Sequence, residues 1–232
     1  MTSSGTYSFS PSIGEVGLYS YGLCGVRATA LAQEHMESLR MAANMVLLHW
    51  SNKQVNLWKV ELVTVPFVQG NATYPVDPSV VVILDAWISI PDGAGGGTTD
   101  RYIMPISRTE YASYSEKMMP GFPTTYWFDR LLSPTVTLWP VPYANSNLTF
   151  NYYAVQQTQD AGLQSGQTAD IPPIWIPAFA YGLAEELAVS WAPEKLALIS
   201  PRAKVLYDAA AATNVEASSF YISPSISSYW RT

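Results

Sequence analysis

The sequence predicts an α+β fold, a helical bundle assembled from both ends of the chain around a β-rich insertion. Three observations predict it. Residues 31–50 and 177–192 place apolar side chains at a 3.6-residue period. Residues 55–157 mostly alternate with a period of two, interrupted by Gly, Pro and Asn clusters. No strand–helix–strand alternation runs through the chain, so the terminal helices are expected to pack on one another. The implied division is an arm at 1–10, a bundle from 11–54 and 170–214, an insertion at 55–157, a linker at 158–169 and a C-terminal arm at 215–232.

Taken in order, Ser12-Ile13-Gly14-Glu15 predicts a capping box that opens a short helix ending near Gly25. Gly14, Gly17 and Gly22 each weaken it by roughly 1 kcal/mol relative to alanine, so it must lean on neighbours. The next helix spans residues 31–50 with Thr29 as N-cap. Leu39, Ala43, Val46, Leu47 and Trp50 form one apolar stripe. Met41, Met45 and Leu48 form a second, which predicts burial inside the domain or at a subunit boundary.

In the insertion, Trp58, Val60 and Leu62 alternate with Lys59 and Glu61, predicting one core face and one wet face. Gln69-Gly70-Asn71 is a turn before a short strand ending at Pro75. Residues 80–88 are apolar on both faces, so this strand is expected to be central. Residues 92–99 form a glycine-rich loop, read as a hairpin tip: it resembles a phosphate cradle but lacks the lysine and the following helix. Ser107 to Glu110 is a second capping box. Residues 125–128 are an aromatic strand, and residues 134–155 are read as a β-hairpin, giving five to eight strands in all. Beyond the linker, a helix over residues 177–192 carries Ile176, Ala180, Leu183, Leu187 and Trp191 as its core stripe. Ser200-Pro201 is read as the start of the last helix, which ends near Asn214.

Composition bounds the function. Hydrophobic residues make up 48% of the chain and charged residues only 13%, against a typical ~25% charged. Such a chain suits a protein that covers much of its surface with partners. The net charge of −6 offers no basic face for reading nucleic acid. No apolar run approaches the ~20 residues of a membrane span, and the first ten residues lack the basic start and apolar core of a signal peptide. The single cysteine, Cys24, fits a reducing cytoplasm.

The order of signals resembles a known family. A helix carrying Leu39, Asn44-Met45 and Trp50 leads to Val60-Glu61-Leu62, then Pro66-Phe67-Val68-Gln69-Gly70 and Tyr74. Pro105-Ile106-Ser107, Glu110-Tyr111, Gly121-Phe122-Pro123-Thr124, Tyr126 and Leu138-Trp139-Pro140-Val141-Pro142 follow. Ile171-Pro172-Pro173 then runs into Ala180-Tyr181-Gly182-Leu183-Ala184-Glu185-Glu186-Leu187-Ala188. Over residues 31–192 this set is similar to the head-to-tail adaptors of tailed bacteriophages, which include the tail accessory factor of short-tailed phages. The resemblance implies a virion structural protein, made in the host cytoplasm and placed in the neck. It implies a homo-oligomeric, twelve-fold ring beneath the portal protein that extends the channel for genomic DNA and docks tail tube, nozzle or tail-fibre proteins. Other neck or tail components, such as head-completion or tail-terminator proteins, share this architecture.

Candidate site residues divide accordingly. The tail after Asn214 matches no motif of that family, but Phe220, Tyr221, Ile222, Tyr229 and Trp230 are costly to leave in water and favour a portal-binding arm that orders on its partner. Tyr7 and Phe9 invite the same argument more weakly. Glu185 and Glu186 diverge by ~100° on a helix and cannot jointly clasp a substrate. They are read as a solvated face, with an acidic channel wall as the functional alternative. His35 and His49 sit about 21 Å apart along one helix, too far to share a metal, and are read as surface or interface histidines. No Ser/His/Asp order, H-E-x-x-H or C-x-x-C appears, so no catalytic, cofactor or metal residues are assigned and the protein is read as no enzyme. A rival use of Trp127, Trp139 and Tyr153 as a sugar platform competes with their role as core.

Overall fold

The computed structural model describes residues 5, 9–53, 56–92, 96–143, 148–162 and 166–215. The chain begins with α1 (Ile13–Cys24) and α2 (Gln33–Lys53). The insertion follows as β1 (Val60–Pro66), β2 (Thr73–Pro75), β3 (Val80–Pro91), β4 (Thr98–Tyr102), β5 (Met104–Pro105), α3 (Arg108–Ser113), β6 (Pro120–Gly121), β7 (Thr125–Asp129), β8 (Thr135–Trp139), β9 (Val141–Pro142) and β10 (Thr149–Gln156). Helices α4 (Ile176–Trp191) and α5 (Leu196–Ala211) return to pack with the first two. The fold is α+β, as the patterning predicts. Three of the ten strands among the described residues are only two residues long, too short for any periodicity to reveal.

Local chemistry sets the α1 boundaries. The Glu15 amide donates to Ser12 Oγ at 3.3 Å, and the Ser12 amide donates to Glu15 Oε2 at 2.7 Å. At the other end Gly25 takes φ 83°, a left-handed conformation that L side chains rarely adopt. Between them, Gly17 lets α2 approach: a Cβ there would lie 2.2 Å from Leu39 Cδ2. Gly22, by contrast, meets nothing within 4 Å. Gly17→Ala is therefore expected to destabilise the fold by about 1–3 kcal/mol through overpacking. Gly22→Ala should stabilise it by about 0.5–1 kcal/mol through helix propensity. Denaturant unfolding of the two variants checks the opposite signs.

The helix buried on several sides is α4 rather than α2. Ala178, Ala180, Ala184 and Ala188 are all buried, and these small side chains let α1, α2 and α5 close around it. Ser20 Oγ on α1 lies 2.9 Å from the Ala180 carbonyl, and Cys24 Sγ donates to the Ala184 carbonyl at 3.4 Å. On α2 the Leu39–Trp50 stripe is buried as expected, but Met41, Met45 and Leu48 remain 55%, 52% and 47% exposed. Thr29 is not the N-cap of α2. It lies in a short 3-10 turn (Ala28–Ala30), and His35 Nδ1 instead accepts from the Ala32 amide at 3.1 Å. His35 is buried and stacks on Trp191 at 4.0 Å, which corrects its reading as a surface or interface histidine.

Helix α5 also begins earlier than the Ser200-Pro201 signal suggests. A 3-10 turn (Pro193–Lys195) leads directly into Leu196, leaving Pro201 inside the helix near its start. There a missing amide removes only one intrahelical bond. Ser200 is no cap. Its hydroxyl donates to Glu185 Oε1 at 2.5 Å and ties α5 to α4. Residues 158–162 are docked as well, with Asn44 Oδ1 accepting from the Ala161 amide at 2.8 Å.

The insertion is two facing sheets, ordered β1-β10-β3-β4 and β2-β8-β7-β5, with β6–β9 as a small third pair. β3 is an inner strand, as its two apolar faces predict. A bulge opposite Tyr153 shifts its register, so Val80, Ile83, Ala86 and Ile88 turn inward rather than a strict alternating set. The 134–155 hairpin is not formed. β8 pairs with β7 and β2, whereas β10 pairs with β1 and β3 in the other sheet. Apolar alternation fixes which face of each strand is buried without fixing its partner. Here the buried Val136 and Leu138 face Phe150 and Tyr152 across the core between the sheets. In β1 the phase also differs: Val63 and Val65 pack on this core and Leu62 faces out, because Trp58 turns down onto Trp175 at 4.9 Å. At the glycine-rich loop Asp92 and Gly97 close the β3–β4 hairpin by a 2.8 Å amide–carbonyl bond, with residues 93–95 outside the described residues.

Buried tyrosines make the fold alkali-sensitive. Burial pushes the Tyr21 and Tyr126 phenols up to about 12 from 10.0. The folded state holds these protons more tightly than the unfolded one, so their stabilisation is complete below about pH 10 and is lost as pH rises toward 12. Denaturant midpoints are expected to be flat up to about pH 9 and to fall steeply above it. A midpoint unchanged at pH 11 would contradict this.

Candidate assembly surfaces

Among the described residues several apolar surfaces are exposed. On α2 the Met41–Met45–Leu48 face follows i, i+4, i+7 spacing on the side opposite its buried stripe. On α5, Leu198 and Val205 point out. Between α1 and α4 lies a groove of about 440 Å³, lined by Phe9, Val16, Tyr19, Ile176, Ala180 and Tyr181 among others. Glu15 supplies its one charged side chain. At the tip joining β7 to β8, Leu131 is 57% and Leu132 100% exposed.

The predicted acidic pair falls on another groove, of about 670 Å³, between α2, α4 and α5. Glu185 is half-buried and held by Ser200, while Glu186 is exposed. Both line the groove, but His49, Lys53, Lys204 and Asp208 line it too, so its charge is mixed. Lys53 Nζ sits 4.4 Å from the Tyr207 ring centroid, a cation–π contact that anchors the α2 end to α5.

The aromatic trio of the sugar-platform reading does not come together. Trp127 stacks on Tyr111 at 5.3 Å and Trp139 packs on Tyr114 at 4.1 Å, both against the α3 region. The Trp139 indole N–H donates to the Glu116 carbonyl at 3.0 Å. Tyr153 lies on the other sheet beside Trp87, at 5.2 Å. Phe220, Tyr221, Ile222, Tyr229 and Trp230 lie outside the described residues, as does Tyr7.

Among the described residues no group of three or more His, Cys, Asp or Glu side chains could hold a metal ion. No described helix is long and apolar enough to cross a membrane. What the surface offers is area to bury. Sequence reading missed the Leu131-Leu132 tip, whose only signal was two adjacent leucines before Ser133-Pro134, a turn pair where core residues are out of place.

A family model described as SU10 adaptor protein matches residues 26–221, from just after α1 to beyond α5, and so takes in Phe220 and Tyr221 of the tail that the sequence signals left without a family motif. No curated protein matches the chain.

Proposed function

The chain belongs to the SU10 adaptor protein family, structural proteins of the phage virion, and from that premise we propose that it is a head-to-tail adaptor. Copies close into a ring, expected to be twelve-fold, that docks on the portal protein in the neck. The ring extends the channel for genomic DNA and presents a surface to the tail. It makes and breaks no bond; its work is geometry.

The observation that carries this reading is the second apolar face of α2. A helix that buries one stripe and leaves Met41, Met45 and Leu48 outside is built to be covered by something else. Stable assemblies bury roughly 1,600 Å² or more per interface, and the exposed apolar residues of α2, α1/α4 and α5 are the surface offered to such a contact. The C-terminal arm, with Phe220, Tyr221, Ile222, Tyr229 and Trp230, supplies aromatic anchors for the portal. Of the acidic pair Glu185 and Glu186, the exposed Glu186 faces the channel in this reading, while Glu185 stays tied to Ser200. With the chain's −6 charge, Glu186 keeps DNA from adhering to the wall, since like charge repels the phosphate backbone.

Deleting residues 215–232 tests the arm's role. The truncated protein should keep its thermal unfolding profile and lose portal attachment in co-sedimentation. Attachment at full strength without the arm would overturn that part of the reading.

A further inference from the structure

We infer that the β7–β8 tip of one copy seats in the α1/α4 groove of the next copy, with Leu131 and Leu132 as the inserted side chains. The inference rests on the ring reading above and specifies one of its contacts. The tip is a firm projection. β7 and β8 pair in unbroken antiparallel register from Thr125–Trp139 to Asp129–Thr135, directly below the exposed leucines. Arg108 Nη2 fixes the hairpin end further, donating to Asp129 Oδ1 at 3.1 Å. A paired hairpin that already holds two leucines in water gives up little backbone freedom when it docks and loses mainly their side-chain rotamer freedom. Two leucines removed from water also carry enough transfer free energy to anchor an interface.

The groove matches in shape class, chemistry and charge. Its volume of about 440 Å³ accommodates two leucine side chains, and among the described residues Glu15 is the one charged side chain in its walls, with Arg202 near enough to Tyr19 to act on it. Hydrogen bonds from the Ser12 amide and hydroxyl lower the Glu15 carboxyl from its ordinary value, so it is a carboxylate at neutral pH. The residue preceding the leucines is Arg130, whose guanidinium lies 5.9 Å from the Phe128 ring and makes no ion pair among the described residues. A cation beside the knob and an anion at the groove are complementary across the contact.

The two parts cannot be one site. Arg130 lines a hollow with Ser51, Lys53 and Asn56 at the end of α2, and that hollow shares no residue with the α1/α4 groove. Each copy therefore carries one knob and one groove on different surfaces. Such a head-to-tail contact generates a ring when its rotation closes.

Cysteine cross-linking in the adaptor–portal complex tests this. Tyr19→Cys at the groove and Leu132→Cys at the tip are both exposed positions that leave the core alone, and Cys24 is buried. With a short bismaleimide, the double variant should give a ladder of adaptor multimers, while each single variant should give none beyond a dimer. Leu131→Ser with Leu132→Ser should weaken copy-to-copy association about a hundredfold, and Arg130→Glu should weaken it where Arg130→Lys does not. Copies that assemble on the portal without a ladder, and with unchanged association in the serine variant, would overturn this contact and leave the ring reading standing. Copies that never associate with one another would overturn the ring reading and this contact with it.

Discussion

Trp175→Ala is expected to cost about 3–5 kcal/mol, the range for removing a large buried aromatic. Its indole is 1% exposed and sits where the bundle meets the insertion. Trp50 of α2 lies 5.0 Å from it, Trp58 ahead of β1 lies 4.9 Å away, and Tyr207 of α5 lies 5.7 Å away. Alanine would leave a cavity that none of these large rings can collapse into without giving up another contact. The loss should be seen as a lower denaturant midpoint. It should also loosen the insertion from the bundle, because Trp58 loses its seat and the junction is left to polar ties such as the Lys59–Asp170 ion pair at 2.7 Å and the Leu57 amide donating to Asn214 Oδ1 at 3.2 Å. A drop below 1 kcal/mol would mean that the junction is not held by this cluster.

Met41→Glu with Met45→Glu is expected to have the opposite profile. Both side chains are more than half exposed, and glutamate is about as good a helix former as methionine. Monomer stability should therefore stay within about 0.5 kcal/mol of the parent. Assembly should fall at least about a hundredfold, because two carboxylates would have to be buried against whatever the apolar face meets. Light scattering of adaptor–portal mixtures beside thermal unfolding of the free chain separates the two effects. Unfolding at lower temperature would instead place this face in the core of the single chain.

The contrast between these two sites explains what the sequence could convey. Periodicity reports which side of an element is apolar, so the α2 stripes, the inner position of β3 and the packing of terminal helices were all legible. Local hydrogen bonding reports boundaries, so Ser12, Glu15 and Gly25 delimited α1. Neither signal carries pairing. β8 and β10 alternate as cleanly as the arms of a hairpin, yet they belong to opposite sheets, because burying Leu138 against Phe150 satisfies both strands equally well. Pro201 misled for a different reason: proline favours the first position of a helix, yet here it is the sixth residue of α5, carried by the packing of that helix on α4.

The assembly surfaces were legible only in part. The Met41–Met45–Leu48 face announced itself because a helix with two apolar sides needs two partners. Glu185 was seen as an acid on a helix, but its bond to Ser200 and the basic neighbours Lys53 and Lys204 come from α2 and α5, far away in sequence. The Leu131-Leu132 tip was invisible because exposure at a turn leaves no periodic trace.

Native mass measurement of the protein mixed with its portal tests the central claim most directly. A ring adaptor should load as one discrete, closed set of copies per portal, with no partly filled intermediates of comparable abundance. A chain that stays monomeric beside an empty portal would contradict the account.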